Sequence, residues 1–342
     1  MKIRLFVIAV FVSAAAVPGF LAMEAGLLKG ASPAGGQTAR VAGTEFQVTP
    51  LDWPDLAQGL STTSSSVIWM RHGTSSTFQG LWAYDTASQQ SYRWLGPGEA
   101  FPGVGSPSGA GTLVTWARRT KGVAQPEVRG YDSFTRRRFL VAASGQQPVA
   151  SSRGIAYVRK PAAGSGAGDV VCDYDTVTGA QRKFAAGGRV HDVATWDTWA
   201  AWIAGPGGAA PVYAASRRSP TVLKLAAAGT AVAVSHNGVA WSAPSSGGRS
   251  AIMLWDRSAG KTRQLYQVSG RVLELTRTDS LVVWQASAGN GDIWAYDLKR
   301  GAAFPICMNA ARQADPVIVG GTVYWADNRS GSWVLFGRSV WQ

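Results

Sequence analysis

The sequence predicts an all-β fold: a seven-bladed β-propeller of four-stranded antiparallel blades, its ring closed by an N-terminal strand pairing with the last blade. Three observations predict it. Short apolar runs ending in an aromatic recur along the chain. Each is followed by a second apolar strand, which in most copies ends in an aromatic, an Asp and a turn. The composition is 46% hydrophobic and 15% charged, with 41 Gly and 15 Trp in 342 residues, enough for a large core and too little charge for a disordered chain.

Taken in order, the chain opens with Lys2 and Arg4 ahead of an apolar run from Leu5 to Ala22. Residues 1–23 read either as an export signal, cut after Ala16 or Ala22, or as an uncut anchor close to the ~20 apolar residues that span a bilayer. Both readings keep Lys2 and Arg4 on the cytoplasmic side. The expected location is extracytoplasmic, secreted or anchored to the outer face of the cytoplasmic membrane. Residues 24–40, with their Ser-Pro and Gly-Gly, read as a flexible tether. Residues 41–342 read as the propeller.

The first marker recurs as Val67-Ile68-Trp69, Val114-Thr115-Trp116, Ile155-Ala156-Tyr157, Ala200-Ala201-Trp202, Val239-Ala240-Trp241, Val282-Val283-Trp284 and Val323-Tyr324-Trp325. The period is about 43 residues, that of propeller blades. Residues 198–225 form the most degenerate copy. Ile293 and Ala295 alternate with Trp294 and Tyr296, so both strand faces are apolar, as a blade packed between two neighbours requires. The aromatics read as wedges between sheets. The Asp after the aromatic (Asp85, Asp132, Asp175, Asp256, Asp297) reads as a turn former that accepts backbone N–H bonds. The last copy lacks a fourth strand, and Glu45-Phe46-Gln47-Val48 is free to supply it. The first blade is expected to begin near Trp53 or Leu56.

Gln313-x-Asp315-Pro316, Gly320-Gly321, Val323-Tyr324-Trp325-x-Asp327-Asn328-Arg329-x-Gly331 and Asp292-Ile293-Trp294-x-Tyr296-Asp297-Leu298 resemble the TolB-like and bacterial and archaeal surface-protein β-propeller repeat families. The resemblance is close over the last two copies and loose over residues 51–278. It implies the fold; function lives in sites grafted on it.

The net charge is +13. In an exported protein this favours anionic envelope polymers or lipid head groups, or serves solubility alone. Loops between second and third strands bring Arg71, His72, Arg118, Arg119, Lys121, Arg159, Lys160 and Arg329 onto one rim of the central channel. Entries into successive blades add Asp55, His191, Asp192, Glu274 and Asp315. Such a rim suits an anionic polymer or an acidic peptide, unless its charges pair locally. On the opposite rim, Arg136-Arg137-Arg138, Arg182-Lys183, Arg217-Arg218 and Lys299-Arg300 read as solvated turn tips.

Catalytic signatures are sparse. The histidines His72, His191 and His236 fall in different copies, and the adjacent His191-Asp192 reads as a structural pair. Neither G-x-S-x-G nor H-E-x-x-H occurs, and the Gly-rich stretches sit between strands rather than opening a helix. Cys172 and Cys307 fall in distant copies and read as small buried hydrophobes. No cofactor or metal is expected, and no nucleic acid, because the aromatics belong to the blades. The expected function is that of a monomeric, non-enzymatic scaffold that binds a protein partner or anionic envelope polymer and meets the membrane only through its N-terminal segment. The binding residues expected are Arg71, His72, Arg118, Arg119, Arg159, Lys160, His191, Asp192, Asp315 and Arg329. The alternative is a carbohydrate-active enzyme, a polysaccharide lyase or glycosidase, using Asp55, Asp192, Glu274 and Asp315.

Overall fold

The computed structural model describes residues 43–340, apart from 52–58, 73–77, 97–102, 120–121, 124, 163–164 and 220. Its strands form seven four-stranded antiparallel sheets. Blade 1 comprises Leu60–Thr62, Ser66–His72, Phe78–Asp85 and Gln90–Leu95; blade 2 comprises Gly103–Ala110, Leu113–Arg118, Glu127–Asp132 and Arg137–Ala142. Blade 3 has Gln146–Ser151, Gly154–Arg159, Val170–Asp175 and Gln181–Ala185; blade 4 has Val190–Trp196, Trp199–Ala204, Ala210–Ser216 and Val222–Gly229. Blade 5 runs Ala231–Ser235, Gly238–Pro244, Ser250–Asp256 and Lys261–Val268; blade 6 runs Val272–Arg277, Leu281–Ala286, Ile293–Asp297 and Ala302–Cys307. Blade 7 takes Gln313–Val319, Thr322–Asp327 and Val334–Ser339 from the C-terminal end and Glu45–Pro50 as its outer strand.

The first strand of each blade contacts the first strands of both neighbours, and blade 7 contacts blade 1, so the inner strands ring a channel. Closure follows the expected route. Glu45 pairs with Arg338 and Pro50 with Val334, which removes the open edge of the last sheet. Gly43 N–H donates to Ser339 O at 2.9 Å and Arg338 Nε to Gly43 O at 2.7 Å. The expected start of blade 1 at Trp53 or Leu56 lies outside the described residues; its inner strand is Leu60–Thr62.

The core is layered rather than central. Seven buried apolar clusters each straddle two neighbouring blades. The aromatics are the wedges expected of them. Phe184 of blade 3 stacks on Trp202 of blade 4 at 5.7 Å, and Tyr84 of blade 1 meets Tyr324 of blade 7 edge-on at 6.1 Å. Trp69, Trp202, Trp241, Trp284 and Trp325 are fully buried, so these five serve blade packing. Cys172 and Cys307 are buried free thiols in blades 3 and 6.

The Asp turns also form as expected. Asp85, Asp132, Asp175, Asp256 and Asp297 each accept a backbone N–H two or three residues on, at 2.7–3.0 Å. All five turns lie where the third strand ends, on the rim opposite the loops between second and third strands. The molecule thus has two distinct rims, one loop-built and one turn-built, besides the exposed outer strands of its blades.

Candidate functional site at the channel mouth

The channel encloses a cavity of about 630 Å³. Its wall mixes small and apolar residues with hydroxyls, among them Ser61, Thr63, Ser108, Thr195 and Thr276. Its acids gather at one end and a single arginine lies toward the other.

The register brings one residue per blade to the same level: Gly59, Ser106, Gln147, Asp192, Ala231, Glu274 and Asp315, each just before the residue level with the second-strand aromatic. In blades 2, 3, 4, 6 and 7 a β-bulge interrupts the pairing at this point. A bulge re-aims a side chain without ending the strand. The backbone there is strained: Asp315 and Gln147, each followed by proline, hold φ at 52° and 48°. Gln147 shares this conformation without the charge, so the strain belongs to the bulge and the acid is an addition to it.

Asp192, Glu274 and Asp315 all line the lumen. Asp192 accepts its own Val193 N–H and, across the blade boundary, Val232 N–H, both at 2.8 Å. Oδ2 of Asp315 is buried without a hydrogen-bond partner. None of the three forms an ion pair with another described residue. Burial pushes Asp192 up to about 6, against the two N–H bonds that favour its charge. Burial pushes Asp315 up to about 7. Glu274 is pushed up to about 8 by the packed protein around it, then by the like charges of Asp315 and Asp192. Water in the lumen still reaches Glu274, whose surface is exposed, and this tempers the push. The arrangement is a set of carboxyls with raised proton affinity lining one lumen, without an ion-pair partner among the described residues.

Arg277 lies at the far end of the same inner strand as Glu274 and also lines the cavity. It is buried, its Nε donates to Thr278 O at 3.3 Å, and its Nη1 has no hydrogen-bond partner among the described residues. Burial pulls it down to about 10. The sequence reading did not single it out; its position at the end of a first strand was the available signal.

The basic rim is arranged differently. Arg71 lies 4.8 Å over the Trp82 ring. Arg118 meets Glu127 at 3.4 Å and Lys160 meets Asp169 at 2.8 Å. Arg329 binds Asp327 at 2.7 Å and Glu45 at 2.8 Å, with its guanidinium 4.1 Å over Phe336. It therefore clasps the loop of blade 7 to the strand that closes the ring. Arg119 is exposed and Arg159 half-buried, both at the rim, and His72 ends its strand there. His191 and Asp192 turn to different partners, His191 Nε2 lying 2.8 Å from Gly205 O. Asp55 and Lys121 lie outside the described residues. On the turn rim one expectation is corrected: Arg217 is no solvated turn tip. It is buried, its Nε donating to Asp173 at 2.5 Å and its Nη1 to Asp197 O at 2.5 Å, because the turn folds it back between blades 3 and 4.

No protein-family profile and no characterised protein matches this chain in sequence. Solved structures match its shape. An oligogalacturonate lyase in complex with manganese superposes with a TM-score of 0.63 at 11% identity, over 88% of this chain and 98% of the lyase. The β-propeller domain of the Trilobed protease from Pyrococcus furiosus, described as having an open velcro topology, gives 0.63 at 11% identity, over 82% and 93%. The WD40 repeats of RRP9 give 0.60 at 7% identity, over 89% and 100%. At such identities the likeness is one of fold. Among the described residues no three His, Cys, Asp or Glu side chains gather closely enough to hold a metal ion, and no helix is long and apolar enough to cross a membrane.

Proposed function

We propose that the protein is an exported, TolB-like propeller that works as a non-enzymatic scaffold, holding a protein partner at its channel mouth. One observation carries this reading. Asp192, Glu274 and Asp315 face the lumen from equivalent bulged positions and lack a basic partner among the described residues, in a chain of net charge +13. Buried carboxyls whose charged form is costly alone are stabilised in that form once a cation enters. A lysine or arginine on a partner's projecting segment supplies one. The local pairing of Arg118, Lys160 and Arg329 moves the expected contact from the basic rim to the acidic mouth.

Titration of the full chain with a short acetylated peptide bearing one lysine tests this. Binding is expected, with roughly tenfold loss, about 1.4 kcal/mol, on acetylating the lysine or on Glu274→Gln. A purified anionic wall polymer that binds in a salt-sensitive manner while the peptide does not would move the site back to Arg119, Arg159 and the basic rim.

A second reading rests on Asp192 and Glu274 lining one lumen, where burial raises both carboxyls, Glu274 further than Asp192, as an acid and a base require. It makes the protein a carbohydrate-active lyase or glycosidase. New reducing ends released from polygalacturonate or a neutral polysaccharide, and lost in Glu274→Gln, would replace the scaffold reading.

A further inference from the structure

We infer that the turn rim of blades 2 and 3 docks on an anionic lipid bilayer through Phe134, Val177 and the basic side chains around them. This goes beyond the channel mouth, which lies on the opposite rim, and does not depend on it.

Phe134 and Val177 are 85% and 75% exposed, the most exposed large hydrophobics among the described residues. Each occupies the second position after the turn-forming Asp in adjacent blades. The turn does not need them. The same N–H to Asp bond is made by Ser258 and Lys299 at that position in blades 5 and 6, at 2.8 and 2.9 Å, against 3.0 and 2.9 Å for Phe134 and Val177. An exposed aromatic tip that contributes nothing to the turn is a surface seeking an apolar phase.

The neighbouring charges identify that phase. Arg136 and Arg137 follow Phe134, and Arg182 and Lys183 open the outer strand of blade 3; all four are exposed. Asp132 and Asp175, the acids of the two turns, are occupied by backbone and hydroxyl donors. Arg136 stands at φ 55°, where blades 3, 5 and 6 place Gly179, Gly260 and Gly301, so a cation sits where glycine would be relaxed. Apolar tips ringed by cations fit an interface of anionic head groups over acyl chains.

The path of the chain agrees. Gly43 enters the propeller beside Ser339, at the end of the third strand of blade 7, which is this same rim. Gly43 is the first described residue, so the chain that precedes it joins the propeller on this rim. The sequence reading confined the membrane to the N-terminal segment; the turn rim adds a second, surface contact.

The test uses the full chain reconstituted into vesicles, with an environment-sensitive NBD label at Val177→Cys and, on the opposite rim, at Ser330→Cys. The native thiols are buried. In vesicles with roughly 30% phosphatidylglycerol the label at 177 is expected to shift to the blue and the label at 330 to report water. The shift is expected to vanish in pure phosphatidylcholine, in about 0.5 M salt, in Phe134→Ser, and in the combined variant Arg136→Gly, Arg137→Gln, Arg182→Gln and Lys183→Gln. Arg136→Gly relaxes its turn, and circular dichroism of each variant confirms the fold. An aqueous signal at 177 in both vesicle types, equal shifts at 177 and 330, or a shift indifferent to anionic lipid overturns the inference.

Discussion

Glu274 holds its proton further up the pH scale than a free glutamate, whose value is 4.5, rising to about 8 in the folded chain. Folding therefore favours the neutral form. The stability this contributes is complete below about pH 4.5 and is lost as pH climbs through about 8. Asp315 and Asp192 follow the same sign at about 7 and about 6. Glu274→Gln keeps the shape and removes the titration. At about pH 9 it is expected to stabilise the protein by about 1 kcal/mol, a figure already reduced for the water that reaches the lumen. Thermal unfolding followed against pH checks this, and the two proteins should melt together near pH 4. A Gln variant that melts lower at high pH would mean that the parent carboxylate already has a cation.

Between elements, Arg217 does what no strand pairing does: it ties blade 3 to blade 4 through Asp173, Asp197 O and, at 3.3 Å, Ser151 Oγ. Asp173 is 2% exposed; burial raises its carboxyl even beside the guanidinium. Arg217→Ala leaves that acid buried and unpaired, an expected loss of about 3–5 kcal/mol in urea unfolding. Removing Asp173 as well should recover part of it. Arg217 also marks where sequence reading stops. The turn Asp residues, the aromatic wedges and the closing strand were legible because each obeys a local or periodic rule. Asp192, Glu274 and Asp315 were legible as blade entries, since that position follows from the repeat. The pairings of Arg217 with Asp173, and of Arg329 with Glu45 across 284 residues, were not. They depend on which turn tips and strand ends the ring brings together, and no spacing rule encodes that. The channel itself was legible from the repeat, but how its lining is shared among seven strands was not.

For the whole molecule the weak point is the seam of blade 7. Asp327 is fully buried and held below the usual carboxylate range, burial opposing and Arg329 and Asn309 prevailing. Arg329→Ala removes its counter-charge and unlatches Glu45, so a loss of about 3 kcal/mol is expected, with light scattering on heating as the strand Val334–Ser339 becomes an exposed edge. The same seam joins Glu45 to Arg338, residues at opposite ends of the described chain. Bringing such distant ends together costs about 5 kcal/mol of chain entropy, and nothing repays it before the last blade exists. A chain made N-terminus first is thus an open arc through most of its synthesis. Its shape becomes a ring only when the final strand has been made, which makes completion of synthesis the precondition for completion of the fold.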